Sequence, residues 1–198
     1  MGLIGGGLNL YFGQPKKPPI VVASPAPLPW TELDAGRKRQ IALPPLPLSG
    51  PDYLVEIQSA LAEKPIGWAF RVNGAASFYI EKLSLRKQAG QQSVVAVHTL
   101  MQNGNESARA ETAVNLGADY DSGKVRKIRF EASGNRFTTF VDDKKIDDWR
   151  DSRLTSGGSG IYQDETTNAP AKERFEVSSL GNGKDDAKND QKSSSTKK

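Results

Sequence analysis

The stretch GWAFRVNGAASFYIEKL, residues 67–83, decides what kind of fold this chain adopts. Trp68, Phe70 and Val72 alternate with Ala69 and Arg71, and further on Phe78 and Ile80 alternate with Tyr79 and Glu81. A period of two belongs to a strand, whose successive side chains point to opposite faces. Between the two runs stands Asn73-Gly74, a pair for which positive φ costs little, so the segment predicts two strands joined by a turn.

The same period continues outward from there. Tyr53, Val55 and Ile57 form one set, Ile128 and Phe130 another, and Phe137, Thr139 and Val141 a third. The run Val94 to Met101 is apolar on both faces, as in a strand covered on both sides, and Ile161 and Phe175 to Leu180 supply the last two. Turn signals at Asn103-Gly104, Ser122-Gly123, Gly134-Asn135 and Gly157-Gly158 separate the runs, while no ten-residue segment carries a helical stripe. About eight or nine short strands with such punctuation predict an all-β, antiparallel sandwich or barrel. In this scheme 68/70/72, 78/80 and 137/139/141 are the core-facing sets.

Composition narrows the chemistry. The chain has 198 residues, no cysteine and a single histidine, His98. Disulfide scaffolds, thiolate metal sites and cysteine nucleophiles are thereby excluded, and multi-histidine metal centres are disfavoured. His98 sits in the doubly apolar strand and reads as a hydrogen-bonded core residue. The net charge is +4, yet residues 51–180 hold 17 basic against 18 acidic side chains, so the basic excess lies in the ends. Nucleic-acid binding needs cations clustered on a folded face and is not expected.

The chain divides into four parts. Residues 1–14 form a short apolar segment, too short to span a bilayer as written, whose Tyr11-Phe12, followed by Lys16-Lys17 just beyond it, resembles the end of a membrane anchor. Membrane association, and with it an extracytoplasmic or membrane-associated location, rests on that segment alone. Ten of the twelve prolines fall in residues 15–51, which makes 15–50 a stiff linker with room for edge strands at Trp30 to Leu33 and Arg39 to Leu43. The alternating apolar positions place the sandwich at 51–180, and the polar tail 181–198 lacks the means to build a core.

The quoted stretch is similar to a strand pair of the concanavalin A-like lectin/glucanase jelly rolls. KVRKIRFEASGNRFTTFVDDKKIDDWRDSRLTSGGSGIY (124–162) and ERFEVSSL (173–180) resemble later strands of the same superfamily. One similar branch is the bacterial 3-keto-disaccharide hydrolase-type domain of unknown function; laminin-G-like modules are more distant. The resemblance implies a two-sheet jelly roll over about residues 51–180. It departs from the pattern at Val141-Asp142-Asp143-Lys144, where the family usually has Gly after the first Asp. Glucanases of this fold carry a Glu-x-Asp-x-x-Glu strand for retaining hydrolysis, and that motif is absent here. The expectation is therefore a non-catalytic module binding carbohydrate or a protein partner. A glycoside-acting hydrolase and a structural domain displayed at a membrane are the alternatives. No cofactor is expected, with calcium at Asp147, Asp148 and Asp151 left open because lectins of this fold often carry it. These three aspartates otherwise read as a solvated loop with local Arg pairing. Opposite strand parity to the core sets nominates Arg71, Tyr79, Glu81 and Phe140 as the outward, ligand-binding surface.

Overall fold

The computed structural model describes residues 29–45, 50–117 and 120–180. The apolar segment 1–14, residues 15–28 and 46–49 of the proline-rich stretch, and the tail 181–198 lie outside the described residues.

Among the described residues twelve strands run in chain order: β1 (Thr31–Asp34), β2 (Gln40–Leu43), β3 (Asp52–Ala60), β4 (Ile66–Val72), β5 (Phe78–Gln88), β6 (Gln91–Gln102), β7 (Asn105–Gly117), β8 (Val125–Ser133), β9 (Arg136–Val141), β10 (Lys144–Arg150), β11 (Gly158–Gln163) and β12 (Phe175–Ser179). They form two antiparallel sheets, β1-β2-β11-β4-β5-β6-β7 and β10-β9-β8-β3-β12, packed face to face as a sandwich. Residues 31–43 thus join the larger sheet, with Ile41 of β2 registered against Tyr162 of β11. The β9–β10 hairpin turns on Asp142 (φ 47°) and Asp143 (φ 63°), both left-handed without a glycine. The Asp142 carboxylate offsets this by accepting the Lys127 amide at 3.0 Å and the Arg126 guanidinium at 2.9 Å.

Aromatic rings fill the space between the sheets. Trp68 meets the edge of Phe130 at 5.8 Å, and Phe70 lies between Phe130 (4.5 Å) and Phe137 (5.0 Å). Tyr53, Val55 and Ile57 from β3 and Ile128 from β8 close the layer, all fully buried. A second apolar cluster sits on the other side of the larger sheet: Ile41, Ala69, Val72, Phe78, Ile80, Met101 and Tyr162.

That second cluster corrects the expected core sets. Register pairs Trp68 with Glu81 and Phe70 with Tyr79, so Tyr79 and Glu81 share the inward face with the β4 aromatics, while Phe78 and Ile80 point outward. Val72 changes face as well, because β4 is irregular at Arg71. Arg71 has φ 53°, and β11 opposite it shifts register between Gly158 and Ser159. Gly157 (φ 137°) passes so close that a Cβ there would lie 2.5 Å from the Arg71 carbonyl carbon. The Arg71 side chain is therefore directed across the end of the sandwich. Its guanidinium donates to the carbonyls of Gly50 (2.7 Å), Pro51 and Gly134 (2.8 Å), beside the rings of Tyr53 and Phe137.

Replacing Arg71 with Met keeps the stem and removes the fork, leaving three carbonyls without their donor. Urea unfolding should show a loss of about 2–4 kcal/mol. A stability unchanged within about 0.5 kcal/mol would show that the guanidinium does not hold the two sheets together at this end.

Candidate binding site

The outer face of the larger sheet carries a depression of about 430 Å³. Strand alternation builds it: Ile80, Lys82, Ser84 and Arg86 come from β5, Val95, Val97, Thr99 and Met101 from β6, and Arg109 and Glu111 from β7. Ile80, Val95, Val97 and Met101 give an apolar floor, with charged groups standing along both sides.

One end is held by a network on Asp164, just after β11. Its Oδ2 accepts Lys82 Nζ at 2.6 Å and the Tyr162 hydroxyl at 3.0 Å, and its Oδ1 accepts the Thr166 amide (2.8 Å) and hydroxyl (2.7 Å). Burial alone would raise this carboxyl, but the bonds from Lys82 and Thr166 overcome it and hold the group well below the usual carboxylate range. Burial pushes the Tyr162 hydroxyl far up, with Asp164 adding to the effect, so it stays a donor. The other end is more open. Arg86 pairs with Glu111 at 2.8 Å while both remain about half exposed, and Arg109 stands exposed next to them.

The four residues nominated from strand parity do not share a surface. Arg71, Tyr79 and Glu81 are fully buried, and Phe140 lies on the opposite sheet. Arg71 is turned inward by the β4 irregularity, and the hydroxyl of Tyr79 accepts the Leu154 amide at 3.1 Å. The Phe140 ring is covered by the Arg129 guanidinium at 4.0 Å. Around it the outer face of the smaller sheet is tiled by the cross-strand pair Lys127–Glu56 and by Arg129 with Glu131 and Asp143.

Glu81 instead belongs to a polar line through the interior. It accepts a hydrogen bond from Thr139 of β9, its neighbour His98 of β6 meets Asp147 of β10 at 3.0 Å, and Thr112 of β7 donates to Asp147 at 2.8 Å. Each contact joins one sheet to the other. His98 also stacks on Trp149 at 4.1 Å with the rings 7° from parallel. His98 is thus a hydrogen-bonded interior residue, and its acid partner, 49 positions away, comes from the facing sheet. The aspartates expected in a loop sit mostly in β10. Asp147 faces inward, Asp148 is gripped by Arg136 (2.6 and 2.9 Å), and Asp151 by Arg153. Among the described residues no group of three or more His, Cys, Asp or Glu gathers as metal ligands would.

The groove residues Lys82, Arg86, Thr99, Arg109, Glu111 and Asp164 escaped the sequence reading. For Lys82 and Arg86 a signal was present in β5, where Leu83 and Leu85 continue the parity of Tyr79 and Glu81. Followed to its end, that strand assigns 79/81/83/85 to the core and leaves 82/84/86 outward.

No protein-family model matches this chain, and no curated protein does. Solved structures similar to it include the carbohydrate-binding module CBM66 from Bacillus subtilis, at 19% identity over 71% of this chain and 88% of that one, TM-score 0.45. Sheep galectin-11 in complex with glycerol is 12% identical over 70% of this chain and 95% of its own, TM-score 0.40. A variant of human galectin-16 is 13% identical over 68% and 93%, TM-score 0.44.

Burial pushes the Glu81 carboxyl up to about 8; the Thr139 bond opposes this and Asp147 adds to it. A folded-state value above the unfolded one means the folded chain holds the proton more tightly. That stabilisation is full below the ordinary carboxylate range and is lost as pH rises through about 8. Glu81→Gln should flatten the fall in stability between about pH 5 and pH 9, with a relative gain on the order of a few kcal/mol at the alkaline end. Wild-type and variant curves that run parallel would show that Glu81 does not titrate in this range.

Proposed function

We propose that this chain is a non-catalytic β-sandwich module that binds carbohydrate in the groove on the outer face of its larger sheet. One observation carries the reading: charged fork-like groups flank an apolar floor in a depression of about 430 Å³. That volume falls within the range of small-ligand sites. A sugar ring presents hydroxyls at its edge and C–H groups on its face. Ile80, Val95 and Val97 suit the C–H face, while Arg86, Arg109, Glu111, Lys82 and the Thr99 hydroxyl stand where the ring edge would lie. Guanidinium and carboxylate groups engage adjacent hydroxyls two at a time, which fixes orientation as well as contact.

Two of the three acids that line the groove are held by partners, which favours holding over proton transfer. Glu111 is paired with Arg86, and Asp164 already accepts four hydrogen bonds. The preset ends reduce the side-chain ordering that a ligand would otherwise impose. Arg39, Lys82, Arg86 and Arg109 outnumber Glu106, Glu111 and Asp164 along the lining, so acidic oligosaccharides belong in the ligand class beside neutral ones.

Calorimetric titration with a panel of neutral and acidic oligosaccharides tests this. The double variant Arg86→Ala/Arg109→Ala should weaken whichever glycan the wild type binds by about tenfold or more, with the melting temperature retained. Arg129→Ala, on the opposite outer face, should leave the affinity unchanged. Equal affinity in the folded double variant, or an equal loss in Arg129→Ala, would overturn the assignment to this groove.

A further inference from the structure

The two sheets have four edges: β1 and β7 on the larger, β10 and β12 on the smaller. An edge strand presents unpaired N–H and C=O groups that template another strand unless it is short, charged, bulged or covered. Three of the four edges are blunted in these ways. β1 has four residues and β12 five. β10 is irregular between Lys145 and Asp147 and begins with two lysines. β7 differs: it is thirteen residues long, contains neither lysine nor proline, and between irregularities near its two ends runs in regular register with β6 from Ala108 to Asn115. Toward its far end Lys144 Nζ donates to the Asn115 carbonyl at 2.9 Å, and among the described residues Ala108 to Ala113 remain the open stretch.

We propose that two copies of this chain associate through β7, edge to edge and antiparallel about a two-fold axis at Ala110. The sequence of the strand selects a second copy as the occupant. With Ala110 facing itself, Arg109 lies opposite the partner's Glu111 and Glu111 opposite the partner's Arg109. One sequence thus yields two opposite-charge pairs on the same face, as a two-fold contact requires. On the other face Ala108 comes opposite Thr112, and Ala110 opposite itself. These small side chains let the strands close to the ordinary spacing of about 4.8 Å. A slip of one residue destroys both charge pairs and sets each copy's outer face against its partner's inner one.

The association stands without any ligand. Its consequence rests on the carbohydrate reading above: Arg109 and Glu111 line the groove, so the two grooves meet along the shared edge and each copy supplies a charged group to the other's. A longer saccharide would then be held across both.

Sedimentation velocity on the full chain, from micromolar to near-millimolar concentration and without glycan, tests the association apart from the binding. The wild type should shift from monomer to dimer as concentration rises. Arg109→Glu and Glu111→Arg alone each set like charges opposite one another twice, and should weaken the dimer by about tenfold or more. The double variant restores opposite charges in the same register and should recover most of the loss, which also shows that neither substitution acts by unfolding the chain. A wild type that stays monomeric throughout, single variants that dimerise normally, or a double variant as weak as the singles would each overturn the proposal.

Discussion

A buried guanidinium fixes this sandwich. Arg71 is fully enclosed and faces carbonyl oxygens and aromatic rings, so three carbonyl dipoles from two backbone segments offset much of its cost of desolvation. Those segments are the lead into β3 and the β8–β9 turn, both on the smaller sheet, while Arg71 itself belongs to the larger. The side chain reaches them because the backbone takes a left-handed turn at Arg71 that Gly157 alone leaves room for. The same turn sends Val72 to the outer face, where it joins Phe78, Met101 and Tyr162. Tyr162 in turn seats the Asp164–Lys82 network at the end of the groove. One inverted residue therefore couples the closing of the sandwich to the shape of its outer face.

The interior carries a second set of constraints that apolar packing alone would not supply. Glu81–Thr139, His98–Asp147 and Thr112–Asp147 are directional ties between strands of different sheets. Aromatic rings tolerate a small slide of one sheet over the other, but these bonds do not, and a slip leaves buried polar groups unpaired. The ties cluster toward β10 and β7, away from the Arg71 end, so the two ends are pinned by different chemistry.

The strand pattern and its turns were legible from alternation and glycine placement, because burial on one face writes itself directly into sequence. The face assignment of β4 and β5 was not. Phe78 and Ile80 are as apolar as Leu83 and Leu85, yet they cluster with Tyr162 and Ile41 on the outer face of their own sheet rather than against the facing sheet. A sheet that carries apolar side chains on both faces loses the contrast that alternation relies on. Arg71 and Glu81 misled for a related reason: charge normally signals solvent, and here both are interior groups whose hydrogen-bond partners are remote in sequence. The groove was hidden because Lys82, Arg86, Arg109, Glu111 and Asp164 come from three separate segments, and only strand register brings them together.

The most direct measurement is amide and side-chain chemical-shift mapping by NMR while the chain is titrated with a panel of neutral and acidic oligosaccharides. Shifts should centre on Lys82, Arg86, Val97, Thr99, Arg109 and Glu111 and leave Glu56, Lys127, Arg129 and Phe140 unmoved. A response centred on the outer face of the smaller sheet, or no specific response to any saccharide, would contradict the placement of a carbohydrate site on the larger one.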